Sequence, residues 1–213
     1  MELPIFPLNA VLFPGQRLPL HIFEERYKLM VNTCVDERMP FGVCLIREGR
    51  EVGGGARPFE TGTTAHIREV QKLEEGRLNI ACIGGERFVI KNLLQETPYI
   101  VAEVEGLRQE RMEAPEASET AAKLFAEYVR LNLAMTNQWS RTMEMPADAG
   151  TLADFIGARL AVDVVTKQRL LEQLSPELRL RGEIEVLTRA VDLLGTQVQV
   201  ARAVRWQGLG VLN

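Results

Sequence analysis

The sequence predicts an α+β protein: a mostly antiparallel sheet or small β-barrel with one inserted helix, followed by a C-terminal helical bundle ending in a long helix. Three observations predict it. Up to Leu107, apolar and polar residues alternate at period two, with turn signals every eight to twelve residues or so, the pattern of short antiparallel strands. After Leu107 the apolar period lengthens to that of helices. From Leu180 to Ala201 apolar residues recur in alternating steps of four and three, the seam of a coiled-coil-like helix.

In chain order, strands are expected at Glu2 to Phe6, Arg17 to Ile22 and Phe41 to Arg47. A helix from Glu24 to about Arg38 interrupts them, because Tyr27, Met30, Val31 and Cys34 recur at helical spacing. Ala65 and Ile67 alternate with polar neighbours until Glu74-Glu75-Gly76 breaks the run. Arg77 to Ile83 places Leu78, Ile80 and Cys82 on one face, and Arg87 to Leu94 carries Phe88 and Ile90 at period two. Between these runs Gly84-Gly85 reads as a hairpin turn, since paired glycines take the positive φ of primed turns. Pro98 opens a last strand in which Ile100, Ala102 and Val104 alternate with Val101, Glu103 and Glu105.

These elements make residues 1–108 a β domain and residues 120–213 a helical domain. Residues 109–119, charged and without apolar periodicity, read as a linker. Ser118 is placed to cap the first helix of the second domain, which shows Ala121, Phe125, Tyr128 and Met135 on one face. Thr151 with Asp154 is a capping-box-like start for a helix to about Ala161. A short helix follows from Thr166 to Leu174, and Ser175-Pro176 starts the long one, with proline at the first helical position. Its seam, Leu180, Ile184, Leu187, Val191, Leu194, Val198 and Ala201, is expected to pack on the molecule's own helices. A homodimer through this C-terminal helix is the alternative.

The composition is that of an ordinary globular chain: 213 residues, 46 % hydrophobic and 25 % charged. A net charge of −4 and a pI near 5.4, with no basic excess in either half, argue against a nucleic-acid partner. No apolar run is long enough to span a bilayer, and Met1-Glu2-Leu3-Pro4 does not open a secretory signal, so a cytoplasmic protein without a membrane partner is expected. Cys34, Cys44 and Cys82, odd in number and without a CxxC pair, read as buried reduced thiols.

The residues offer no catalytic constellation. His21 and His66 lie far apart in separate strands with no metal-ligand spacing around them. Gly53-Gly54-Gly55 is followed by Ala56-Arg57-Pro58 and not by the Lys-Ser/Thr of a phosphate loop, so it reads as a surface loop. The carboxylate pairs Glu24-Glu25, Asp36-Glu37 and Glu74-Glu75 point apart and read as solvated. No catalytic residue, cofactor or metal is expected.

The opening stretch, LPIFPLNAVLFPGQRLPLHIFEERYKLMV, closely resembles the start of the amino-terminal, substrate-binding domain of Lon proteases. Pro4, Phe6, Pro7, Leu8, Val11, Leu12, Pro14, Gly15, Pro19, Leu20, Ile22, Phe23, Glu24, Arg26 and Tyr27 carry the resemblance. It continues through Phe41-Gly42-Val43, Gly62-Thr63, Ala65, Ile67 and Gly85-Glu86-Arg87-Phe88 to Pro98-Tyr99, and into LADFIGARL and KQRLLEQLSPELRLRGEIEVL. The prolines suit strand edges and bends, and Glu24 or Glu25 benefits from the positive end of the helix dipole.

The resemblance implies a PUA-like β-barrel with one inserted helix, a helical bundle, and recognition of unfolded or exposed polypeptide segments. The chain ends at Asn213 without a P-loop or a PxDGPSAG-like serine segment. It is therefore expected to be a stand-alone, non-enzymatic module working with a protease or chaperone. An edge strand, apolar pockets and the loop at Gly53, Gly54 and Gly55, with Arg57 and Phe59 beside it, are the expected peptide contacts. An RNA-binding PUA-like module or a small-ligand-binding protein is the alternative.

Overall fold

The computed structural model describes the whole chain except residues 54, 111, 137, 139–142 and 210–213, and no side chains over 202–209. Six strands and five helices follow one another: β1 (Glu2–Leu8), β2 (Arg17–Ile22), α1 (Glu25–Asp36), β3 (Phe41–Glu48), β4 (Arg57–Lys72), β5 (Leu78–Gln95), β6 (Ile100–Leu107), α2 (Pro115–Met135), α3 (Ala149–Arg159), α4 (Val164–Glu172) and α5 (Pro176–Leu209). The chain divides into two compact units, Met1–Glu110 with Gly157–Leu174, and Arg111–Ile156 with Ser175–Asn213. Residues 157–174, assigned from sequence to the helical part, thus group with the sheet.

In the first unit the sheet order is β2-β5-β4-β3-β1-β6, and β5 also pairs with β6. Pairing therefore runs from β5 through β4, β3, β1 and β6 back to β5, with β2 attached outside that ring. Among the described residues only β1 with β3 is parallel. Strand β1 is buried on both faces. Leu3 and Ile5 join Cys44, Phe88, Ala102 and Val104 in one apolar cluster. Phe6 and Leu8 join Phe41, Val43, Leu78, Ile80 and Cys82 in another. A strand with two buried faces loses its polar alternation, which is why β1 reads as a near-continuous apolar run. Helix α1 lies against the second cluster through Tyr27, Met30, Val31 and Cys34, all buried. That is the stripe its spacing predicts.

The Gly84-Gly85 hairpin is not formed. β5 is one continuous strand of 18 residues that passes straight through both glycines. A Cβ at Gly84 would lie 2.2 Å from the Phe13 carbonyl oxygen, and one at Gly85 2.5 Å from His66 Nε2 and Thr64 Oγ1. Both glycines therefore serve close approach of neighbouring backbone and side chains, the other physical use of glycine within a strand. The helix between β2 and β3 and the strands on either side of it fall within about two residues of where the sequence places them.

Helix α4 belongs to this unit through two buried polar ties. Gln168 donates its amide to the Thr61 carbonyl at 3.0 Å, and Arg87 donates Nε to the Leu171 carbonyl at 2.8 Å. Asp163 caps α4, accepting the Thr166 amide at 2.9 Å.

In the second unit α2 packs along α5. Ala121, Phe125, Tyr128 and Leu131 bury one face of α2, and Leu180 and Leu187 of the predicted seam are fully buried in α5. Two expected caps are corrected. Helix α2 begins at Pro115, inside the segment expected to be linker, and Ser118 lies within its first turn, its amide donating to the Ala114 carbonyl. Proline at the first helical position explains the earlier start. Helix α3 is capped by Asp148, which accepts both the amide and the hydroxyl of Thr151. Asp154, expected in a capping box, is instead buried 3.2 Å from the fully buried Arg179. Among the described residues no helix is long and apolar enough to cross a membrane.

Candidate functional site

Strands β4 and β5 pair from Lys72↔Leu78 to Thr61↔Val89, and there their mutual ladder stops. Beyond it β4 stays with β3, through Pro58↔Ile46 and Arg57↔Glu48, while β5 stays with β6, from Ile90↔Val104 to Gln95↔Val101. Each pair is irregular just past the divergence. Register shifts fall between Cys44/Ile46 and Ile46/Glu48 on one side, and between Ile90/Asn92 and Leu93/Gln95 on the other. Bulges of this kind bend and twist the strand that carries them, which draws β4 and β5 apart.

The resulting fork is a cleft of about 750 Å³, within the ordinary range of binding sites. Arg57, Pro58 and Glu60 of β4 form one wall, and Val89, Ile90, Lys91 and Leu93 of β5 the other. Pro7, Tyr27, Tyr99 and Ile100 extend the apolar lining, and Arg26, Arg47 and Glu96 bring charge to it. Tyr27 is fixed by its ring stacked 4.0 Å from that of Phe6. Burial raises its hydroxyl pKa above the ordinary value, with Arg26 opposing.

The start of α1 ties down the β3–β4 loop at the mouth of the cleft. Arg26 donates to Glu24 at 3.0 Å and to the Glu51 carbonyl at 3.1 Å, and its guanidinium lies 4.3 Å from the Tyr27 ring centre. Glu24 also accepts the Gly53 amide at 3.5 Å, and Glu51 accepts the Asn9 amide at 3.2 Å. Glu24 stands at the N-cap position but its side chain makes no capping hydrogen bond. Its carboxylate holds the loop, a use the helix-dipole reading did not foresee.

The charges in the cleft are mixed. Lys91 is 2.8 Å from Glu105, whose pKa falls through that hydrogen bond, and Arg57 is 3.9 Å from Glu48. Among the described residues no group of His, Cys, Asp or Glu could hold a metal ion. His21 is exposed and hydrogen-bonded to Asn79 at 2.7 Å. All three thiols are free and buried. Burial pushes Cys34 up to about 11 and Cys82 to about 12, and raises Cys44 as well, so none has the low pKa of a reactive thiol.

Of the expected contact residues, Gly55 and Arg57 line the cleft. Gly53 stands at its tether, through the Glu24 contact. Phe59 is half-buried and not among the lining residues, and Gly54 lies outside the described residues. The β5 wall and Tyr99 went unnoticed in the sequence. The available signal was the run Val89-Ile90 and Leu93-Leu94, apolar beyond what one buried face requires.

A family model described as the substrate-binding domain of ATP-dependent protease La (LON) matches residues 2–189. The chain belongs to this Lon substrate-binding domain family. Lon protease 2 of Myxococcus xanthus is 30 % identical over 209 residues, covering 95 % of this chain and 25 % of that protein. The Lon protease of Anaeromyxobacter dehalogenans is 29 % identical over the same shares. The chain thus spans about a quarter of the length of those Lon proteases. Its match is to the amino-terminal substrate-binding domain, which lacks the ATPase and protease parts of Lon. Among solved structures, the Lon N-terminal domain protein from Xanthomonas campestris superposes with a TM-score of 0.65 at 26 % identity, covering 85 % of this chain and 95 % of that one. The N-terminal domain of Mycobacterium avium complex Lon protease shares the fold, with a TM-score of 0.66 at 18 % identity over 88 % of this chain and 98 % of that one.

Proposed function

We propose that the fork between β4 and β5 is the substrate-recognition site, and that its substrate is a segment of unfolded or exposed polypeptide, held without being cleaved and passed to a protease or chaperone in the cytoplasm. The observation that carries this reading is the interrupted ladder. Two strands that are firmly paired up to Thr61 and Val89 become the walls of a cleft with apolar sides and charged margins. Such walls suit a ligand of mixed side chains, because apolar contact supplies affinity while scattered charges tolerate variety. The family's description as substrate-binding agrees with a recognition role.

Calorimetry with a reduced, alkylated model polypeptide that cannot refold, against its native disulfide-bonded form, tests the reading. Binding of the unfolded form alone is expected, together with its loss in Leu93→Arg. Leu93 is 49 % exposed, so that variant leaves the core intact. Absence of binding to the unfolded form removes the proposal.

A further inference from the structure

We infer that the bound segment adds to the sheet as a strand, along the edge of β5 at Ile90–Gln95 that faces away from β6. The inference rests on the cleft reading above and specifies its mode. A strand paired on one edge only presents a row of N–H and C=O groups on the other. Over Ile90–Gln95, β5 pairs with β6 and, among the described residues, with no other strand. Ile90, Lys91 and Leu93 of that stretch line the cleft.

Two other free edges are poorer templates. The β4 wall has Pro58 in its middle, which contributes no N–H. The outer edge of β2 carries Pro19 at its centre. On β5 the nearest proline is Pro98, past the end of the strand. Edges are commonly blunted by charge, but here Leu93 and Leu94 are 49 % and 50 % exposed, and Lys91 is engaged by Glu105. The register shift between Ile90 and Asn92 puts Ile90, opposite Val104, and Leu93, opposite Ala102, on one face of β5. Side chains at alternate positions of an added strand would therefore meet them on one side and solvent on the other. The required ligand is therefore an extended segment with apolar residues at every second position. Main-chain hydrogen bonds would supply affinity largely independent of sequence.

The test uses the full chain. The segment of the bound, alkylated polypeptide that is protected from proteolysis is synthesised in three forms: unmodified, and amide N-methylated at either the odd or the even positions. Residues of an added strand point their amides alternately toward and away from the edge they pair with. One N-methylated form is therefore expected to bind about tenfold more weakly or worse, the loss of one or more main-chain hydrogen bonds, while the other stays near the unmodified affinity. Both should lose binding to Leu93→Arg. If the unmodified segment binds and depends on Leu93, but the two methylated forms behave alike, strand addition is wrong and the cleft reading stands. If the segment binds Leu93→Arg as well as the parent protein, or does not bind at all, both are wrong.

Discussion

The same two strands are closed at one end and open at the other. Between Thr61 and Lys72 of β4 and Leu78 and Val89 of β5 the backbones pair, and Gly84 and Gly85 allow neighbours closer than any side chain would. Past Val89 both strands keep their outer partners, accumulate register shifts and separate around the cleft. The comparison teaches that the opening is not a weak place in the sheet. It is a fork whose arms are anchored by β3 and β6, while the closed stretch behind sets where the arms begin.

The closed end should break most easily at its tightest contact. In Gly84→Val, atoms would have to occupy the space of the Phe13 carbonyl, whose oxygen lies 2.2 Å from an ideal Cβ. Backbone must move, and a loss of about 4 kcal/mol or more is expected, seen as an unfolded or strongly destabilised protein in urea titration. A near-normal midpoint would mean the approach of β5 to the Phe13 segment is not what closes that end.

High pH attacks the closed end next. Cys34 and Cys82 belong to the apolar cluster beneath the paired stretch, and none of the residues lining the cleft is a cysteine. Their thiol pKa values are raised from 9.0 to about 11 and 12. A raised pKa means the folded state keeps the proton that the unfolded state releases. Stability is therefore complete below pH 9 and falls as pH climbs toward the folded values. Each pH unit of that window costs about 1.4 kcal/mol per thiol, an upper bound where other groups compensate. Urea midpoints measured across the window should fall, and Cys34→Ala should flatten the slope even though it lowers the midpoint at neutral pH.

Arg87 tests whether the closed end depends on α4. It sits opposite Thr63, just behind the fork, buried, with Nε donating to the Leu171 carbonyl. Arg87→Ala is expected to cost about 2 kcal/mol, because a buried carbonyl loses a charged donor. Amide exchange should quicken in both α4 and β5. Exchange that quickens in β5 alone would show that α4 holds itself in place.

Much of this arrangement was legible. Strand β2 and helix α1 follow from alternation and from the Tyr27, Met30, Val31 and Cys34 stripe, because each buries one clear face. Strand β3 shows as an apolar run because both its faces are buried from Phe41 to Leu45. What was hidden depends on contacts distant in sequence. Gly84-Gly85 has the local signature of a turn, but pairing with Ala65 of β4 and the backbone hydrogen bonds of Gly84 with Gly15 and Gln16 keep it extended. Thr151 and Asp154 have capping-box spacing, yet Asp148 makes the cap and Asp154 meets Arg179. The loop residues at one side of the site, Gly55 and Arg57, could be singled out as punctuation between strands. The β5 wall showed only as the apolar excess of Val89-Ile90 and Leu93-Leu94, which carries no mark that the strand's ladder partner is about to leave.

The smallest expected effect separates the two ends most cleanly. Glu24→Gln removes the charge that holds Arg26 and the Gly53 amide, with side chains at 18 % and 21 % exposure in the ion pair. Glutamine keeps an acceptor oxygen, and Arg26 keeps its bond to the Glu51 carbonyl and its place over Tyr27, so a loss of about 1 kcal/mol and a small change in the urea midpoint are expected. Amide exchange should nonetheless rise over residues 49–53 and stay constant over 61–72, where the protecting bonds are those of the ladder. Affinity for unfolded polypeptide should fall about two- to fivefold, because part of the binding energy is then spent on ordering the loop. Unchanged exchange in the loop would mean that the mouth of the cleft, like its back, is held by backbone, and Arg26 would be left with only its place over Tyr27.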